Sequence, residues 1–377
     1  MSIVFPYQPQ APVSETIEYL TDLAKSNNGT EDTLRLRNNP RRIFKCSFPA
    51  RDDIKSTALD ILSAGARTNL YFPIWTEAFR IGAVGVGTSI SFDTTRYNYG
   101  QFAIIWQSDT DWQLMTIDTV SAGSITFVET TTAMPDAWVM PIRTAYFPTG
   151  FRKVGSGLDA VYDLDFKIID NYSKVPSALP QYLSDDLFLR EFETLRTGKA
   201  TVEEDSFLEM KVFDSQTGLV STTVDLTDVR TARNMSFFNS TEEEFDEMMD
   251  FLYSRSGRAS VFWQPSFDTD LVSINTGTIA SIINVKANQI LARDDKRNHI
   301  GVQTKDGTWY VRQIDSFVIV DPETIGINFT GNLDIAADSI KRISWVGKRR
   351  LDTDSVTITH QTGGITTASF RTVEIEV

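Results

Sequence analysis

The chain carries one ordered set of residues twice, and this repetition constrains its fold more than any single motif. In the first half, Phe48 precedes a helical pattern ending at Leu62, and Leu70-Tyr71-Phe72-Pro73-Ile74-Trp75 follows. In the second half, Phe238 precedes a helical pattern ending at Leu252, and Phe262-Trp263-Gln264-Pro265-Ser266-Phe267 follows. Both helical intervals span 14 residues, and Pro73 aligns with Pro265, Tyr71 with Trp263 and Trp75 with Phe267. Downstream, Gln107-Ser108-Asp109-Thr110-Asp111-Trp112 resembles Gln303 to Trp309, and each tryptophan is followed by an Ile-Asp pair, Ile117-Asp118 and Ile314-Asp315. Upstream, Asn28-Gly29 stands opposite Thr217-Gly218. A length of 377 residues suits two units of this kind. The expected boundaries are a first repeat over 1–175, a linker or start of the second repeat over 176–213, and a second repeat over 214–377.

Each unit reads as one helix among many strands. Ile54, Ala58, Ile61 and Leu62 form an amphipathic stripe, as do Phe245, Met248, Met249 and Leu252. Thr241 with Glu244 predicts a capping box, the acidic first turn suits the helix dipole, and Gly257 marks the stop. Phe102–Trp106 with Trp112–Ile117, and His299–Gln303 with Trp309–Ile314, predict hairpins, the second turning at Asp306-Gly307. Tyr162–Ile168 and Ala368–Ile375 alternate as half-buried strands. Leu187–Thr197 offers a weaker short helix. The expected class is mainly β (α+β), two β-sandwich or barrel units with a helix packed on each.

Composition removes several functions. Lys+Arg 36 against Asp+Glu 50 gives a net charge of −14, which argues against a broad nucleic-acid-binding face. One cysteine, Cys46, makes no internal disulfide, and two histidines, His299 and His360, leave little room for zinc or His-based catalysis. No run of about 18 apolar residues appears, so no membrane-spanning segment is expected. The opening Met1 to Pro6 lacks the pattern of a secretion signal, which predicts a chain made in a cytosol or assembled there.

The remaining candidates read as structural. Gly82-Ala83-Val84-Gly85-Val86-Gly87 is not a dinucleotide fingerprint and predicts a strand-connecting loop. His299 and His360 have no second ligand at metal spacing. Cys46 reads as a buried thiol in a strand, and a Cys-His nucleophilic pair has no local support. The acid pairs Asp109/Asp111, Asp185/Asp186, Asp268/Asp270 and Asp294/Asp295 read as turn residues, with Asp268/Asp270 the one candidate for a structural cation. Arg35, Arg37, Arg41 and Arg42 stand out as a basic cluster in an acidic chain, and Lys348, Arg349 and Arg350 match them in the second half. A nucleic-acid contact is one reading. A contact with the acidic surface of a neighbouring subunit is the favoured one.

Phe5-Pro6-Tyr7-Gln8, Glu15 to Asp22, Asn28-Gly29-Thr30-Glu31, Leu36 to Arg42 and Ser256 to Pro265, with Asp268 and Asp270 after it, resemble tail-tip proteins of long-tailed bacteriophages. The resemblance covers about a fifth of the chain directly. It implies a non-enzymatic virion component without cofactor or metal. Such proteins form rings that join the tail tube to the hub, baseplate or fibres, and their β-rich domains are tube-like. Two such units per chain imply a trimer with pseudo-six-fold symmetry, ranked slightly above a true hexamer. Partners would be the tail tube protein and other tail-tip or fibre proteins, with DNA passing through an acidic channel unbound. The location would be the virion tail tip, after assembly in the host cytoplasm. A virion-borne receptor- or carbohydrate-binding β module is the alternative, and a carboxylate-only polysaccharide hydrolase a third reading.

Overall fold

A computed structural model describes residues 3–25, 31–50, 55, 59, 69–94, 100–147, 151–155, 160–170, 174, 176–191, 204–207, 210–214, 218, 220–224, 230–291 and 297–375. The chain is mainly β, as its alternating patterns predict. The first-half strands are β1 (Ile3–Val4), β2 (Gln10–Glu18), β3 (Thr21–Lys25), β4 (Glu31–Arg35), β5 (Arg41–Pro49), β6 (Leu70–Pro73), β7 (Phe79–Val84), β8 (Gly87–Ser91), β9 (Phe102–Ser108), β10 (Asp111–Ser121), β11 (Ser124–Thr131), β12 (Met134–Tyr146), β13 (Phe151–Val154) and β14 (Val161–Ile168). The second half adds β15 (Gln181–Tyr182), β16 (Asp185–Leu187), β17 (Glu204–Phe207), β18 (Met210–Asp214), β19 (Val220–Val224), β20 (Arg230–Asn239), helix α1 (Glu242–Arg255), β21 (Val261–Pro265), β22 (Thr278–Ile279), β23 (Ile282–Lys286), helix α2 (Ala287–Leu291), β24 (His299–Thr304), β25 (Trp309–Asp321), β26 (Thr324–Phe329), β27 (Ile335–Ala336), β28 (Ile340–Leu351), β29 (Ser355–His360) and β30 (Thr366–Glu374).

Pairings in the two halves run in the same order. β5 pairs with β2 and β14, and β14 with β13. β20 pairs with β17 and β30, and β30 with β29. β6 takes β1 in parallel and β12 antiparallel, as β21 takes β16 and β28. β9 joins β10 to β12, as β24 joins β25 to β28. β11 joins β10 to β8, as β26 joins β25 to β23. The β3–β4 and β18–β19 hairpins stand apart as two-stranded sheets. The halves differ at β7, which adds to β12, whereas β22 pairs with β27. Pairing with β21 also builds β16, within the 176–213 span, into the second half.

Side-chain alternation explains where the cores sit. In β14, Tyr162, Leu164, Phe166 and Ile168 face inward, and Phe166 stacks on Phe72 with ring centroids 4.0 Å apart. They close one cluster with Phe5, Phe44 and Phe48. In the second half α1 lays Phe245, Met248, Phe251 and Leu252 on Met235, Phe237 and Phe370. Thr241 caps α1, its hydroxyl accepting from the Glu244 amide at 3.2 Å. The Glu244 carboxylate reaches back to the Ser240 amide at 2.7 Å, completing a box displaced by one residue. Ser256, with φ 54°, supplies the left-handed C-cap, and Gly257 opens the turn after it. The first-half helix expected over Ile54–Leu62 lies almost wholly outside the described residues; Lys55 and Leu59 within it are helical, and Leu59 is buried. The helix expected over Leu187–Thr197 does not begin where predicted: Leu187 ends β16, residues 188–191 carry no helix, and the rest lies outside the described residues.

The inward faces put the halves in a register one residue away from the sequence alignment. Phe48 is fully buried, but Phe238 lies on the outer, half-buried face of β20. The inward residue there is Asn239, whose amide donates to Thr366 Oγ1 at 2.8 Å. Counted by faces, Arg42 in β5 corresponds to Arg233 in β20, and both are buried.

Candidate functional site

The most developed polar constellation lies where the halves meet. β2 of the first half adds antiparallel to β29 of the second, from Val13 opposite His360 to Glu18 opposite Ser355. β2 alternates Val13, Glu15 and Ile17 toward the core, so Glu15 is carried inside with its apolar neighbours. A carboxylate there needs a charged partner, because burial strongly disfavours an isolated ion. Arg42 on β5 supplies it: its Nε donates to Glu15 Oε1 at 2.7 Å and its Nη1 to Glu77 Oε1 at 2.5 Å. His360 on β29 completes the group, with Nε2 3.0 Å from Glu15 Oε2. Burial pushes Glu15 up, but Arg42 and His360 outweigh it and hold the carboxyl at about 2. Glu77 is held above the usual carboxylate range, chiefly by burial, and among the described residues its Oε2 has no hydrogen-bond partner.

A second set of contacts surrounds this ladder. The β3–β4 hairpin reaches the turn after α1: Thr33 Oγ1 donates to the Ala259 carbonyl at 3.1 Å, and Arg35 to Ser260 Oγ at 3.3 Å. Arg350 on β28 holds Glu31 on β4, with Nε 2.6 Å from Oε2. Asp354 accepts from the Thr21 amide at 2.8 Å and the Arg258 amide at 2.9 Å. Burial works against its charge, but these bonds and the Arg258 guanidinium lower its pKa.

The seven basic candidates therefore divide. Arg35 and Arg350 meet partners across the junction of the two halves, a contact inside the chain. Arg37 is half-buried and donates to the Glu18 carbonyl at 2.9 Å. Arg41 is exposed at the start of β5. Lys348 pairs with Asp185 at 2.7 Å. Arg42, Arg349 and Arg350 are buried, at 3%, 4% and 3% exposure, which corrects the expectation of a subunit contact through them. Their charge is neutralised within the fold. Arg349 donates to Thr231 Oγ1 at 2.8 Å and lies near Glu204 and Glu374. Burial, with Arg233 close by, lowers its pKa to about 10. The sequence carried a signal for this: Arg42 is in phase with Phe44, Cys46 and Phe48, and Glu15 with Val13 and Ile17.

Other candidates are satisfied locally. His299 Nδ1 lies 2.9 Å from the Tyr182 hydroxyl, and burial lowers its pKa. Cys46 is buried, and burial pushes its thiol well above the usual range, away from nucleophilic use. Asp109 pairs with Lys55 at 2.6 Å, and Gln107 donates to Asp111 at 3.2 Å. Asp186 pairs with Arg255. Asp270 accepts from Ser266 Oγ and from the Trp345 amide at 2.7 Å, which serves the turn. Asp294 and Asp295 lie outside the described residues. Gly85 sits in the β7–β8 turn and Gly87 opens β8, and Thr131 Oγ1 donates to their carbonyls at 2.7 and 2.9 Å. Among the described residues, no three His, Cys, Asp or Glu side chains gather as a metal site, and no helix is long and apolar enough to cross a membrane. No known protein family matches the sequence, and no curated protein matches it either.

Proposed function

We propose that this chain is a non-enzymatic structural component of a phage tail tip, forming a ring that connects the tail tube to the hub, baseplate or fibres. The observation that carries the reading is the β2–β29 ladder: one unit of a repeated strand pattern joins the next by adding strand to strand. A duplicated module that binds its own successor is what a closed ring needs. On this reading the two halves arose by duplication, the repeats follow the 1–175 and 214–377 division, and three chains supply six similar units. The tail tube protein and fibre proteins are the proposed neighbours.

Apolar tips support a role in assembly. Val86 is 74% exposed on the β7–β8 turn, and β25 exposes Val318, Ile319 and Val320 in succession, Ile319 at 78%. Exposed apolar runs of this kind commonly mark protein contacts. Electron microscopy of the purified chain, with its mass measured alongside, tests the proposal. A ring of three chains with six similar lobes is expected. A stable monomer that neither assembles nor attaches to tail tubes overturns it, and glycan binding by that monomer would favour the carbohydrate-binding alternative.

A further inference from the structure

We propose that the first half carries a binding face for an uncharged saccharide, built on a row of three tryptophans laid across β12, β9 and β10. Trp106 on β9 is opposite Trp138 on β12 on one side and opposite Trp112 on β10 on the other. Residues directly opposite in an antiparallel sheet point to the same face, so the three indoles stand side by side. The adjoining row agrees: Met140, Ile104 and Leu114 are paired in the same way, and all three pack with Trp106 in one cluster. Strand spacing puts the outer two tryptophans about 10 Å apart, the length of a disaccharide.

The row reaches the surface at both ends. Trp106 is 8% exposed in the middle, Trp138 is 36% exposed, and Trp112 is half-buried. Trp75 stands edge-on to Trp106, with ring centroids 5.0 Å apart, and steadies the middle of the row. A pyranose presents an apolar face of C–H groups and a rim of hydroxyls. Indole planes match the face, and polar groups fixed beside them match the rim. Arg80 is opposite Trp138 on β7 and holds Asp136 with bonds of 3.0 and 2.8 Å. Near Trp112, the Gln8 backbone N–H donates to Asp109 at 3.1 Å, and Lys55 pairs with Asp109 at 2.6 Å. Both cations are thus paired with carboxylates, and Asp111 adds a further negative charge beside Trp112. Such a border repels sulfated or phosphorylated polymers and suits a ligand without charge.

The second half shows the same place closed by its own chain. There Gln303 on β24 has the position of Trp106, opposite Arg342 on β28 and Trp309 on β25. Glu191 binds both polar side chains, accepting from Gln303 Nε2 at 3.4 Å and from Arg342 Nη2. Glu191 comes four residues after Leu187, which β16 sets opposite Trp263. By the same count Gln8 comes four residues after Val4, which β1 sets opposite Tyr71, and Gln8 is exposed. The first half has therefore exchanged two polar side chains for indoles and the carboxylate for an exposed amide. The face lies within one half of one chain, so it goes beyond the ring reading and stands with or without a ring.

An array of neutral oligosaccharides tests this, followed by titration of the best ligand against the tryptophan fluorescence of the full chain. A dissociation constant of about 1 mM or tighter is expected. Trp138→Ala and Trp112→Ala should each weaken binding about tenfold or more, and Trp138→Phe, which keeps an aromatic face, should restore most of it. The chain carrying Arg80→Ala and Asp136→Ala guards against misfolding: their side chains are 63% and 52% exposed. Its thermal midpoint should stay within about 2 °C of the parent. Its binding should still fall about threefold or more. Ile319→Lys, in the other half, should leave the affinity unchanged. The absence of any ligand in the array overturns the site, and so does an affinity unmoved by Trp138→Ala and by the Arg80/Asp136 variant. Tighter binding of heparin, a sulfated saccharide, than of every neutral one overturns the preference for an uncharged ligand. Rings seen by microscopy without saccharide binding would leave the ring reading intact and remove this face alone.

Discussion

Arg42 and Arg233 hold the same place in two strands that are 191 positions apart in one chain, as their numbering shows. Each is buried, and each grips a glutamate on the adjoining strand: Arg42 holds Glu15 at 2.7 Å, and Arg233 holds Glu204 at 2.6 Å. The difference lies in what covers them. β29 seals the Glu15 pair completely, whereas Glu204 keeps 29% side-chain exposure. One pair is sealed inside the fold, and the other reaches its surface.

Removing Arg42 should be costly. The Arg42→Ala chain leaves Glu15 charged, buried and short of its main partner, and breaking a buried pair from one side costs about 3–5 kcal/mol. Urea unfolding should show the loss. The Arg41→Ala chain, altered at an exposed neighbour, should unfold within about 0.5 kcal/mol of the parent.

Acid should weaken the junction of the halves. Glu15 drops from an ordinary 4.5 to about 2 on folding, so its contribution is complete above pH 4.5 and disappears as pH falls toward 2. The size is on the order of 3 kcal/mol. Glu77 has the opposite sign: its pKa is raised in the fold, so its ionisation opposes folding as pH rises above 4.5. Denaturant midpoints across pH should lose their acid limb in Glu15→Gln, while Glu77→Gln should lose the decline above pH 4.5.

Gly257 should resist substitution. Its φ is +72°, and an added Cβ would lie 2.5 Å from Asp354 Oδ1 and 2.9 Å from Tyr19 Cβ. The Gly257→Ala chain combines left-handed strain with a clash at the junction and should lose at least about 2 kcal/mol. Gly277 also has a positive φ, +96°, but open space around it. Gly277→Ala should cost about 1 kcal/mol, the backbone term alone, and the difference in thermal midpoint isolates the clash.

Ile319 should matter to assembly and not to folding. It is 78% exposed on β25, so Ile319→Lys should leave the thermal midpoint within about 2 °C of the parent. The same change should abolish attachment to purified tail tubes in a sedimentation assay. Retained attachment would remove this tip from the proposed contact surface.

Local signals carried the strands and not their partners. The alternation of Tyr162 to Ile168, the hairpin turning at Asp306-Gly307 and the cap at Thr241 were legible because each is complete within a few residues. The β2–β29 ladder was not, since its two strands share no local signature across the whole chain. Arg42 looked like part of a surface run because Arg35, Arg37 and Arg41 lie beside it. Only its phase with Phe44 and Cys46, set against the phase of Glu15, points inward. Phe238 shares the aromatic identity of Phe48 but not its facing, and Asn239 holds the inward place.

The ladder that joins β2 to β29 also fixes the order of events in making this protein. Thr16 and Thr357, 3.0 Å apart across it, are separated by 341 residues. Nearly the whole chain must leave the ribosome before β2 meets its outer neighbour, and contacts of such separation form slowly. Throughout that interval β2 is itself an open edge, a ready template for a foreign strand. Synthesis must therefore keep nascent copies apart until each has closed on itself.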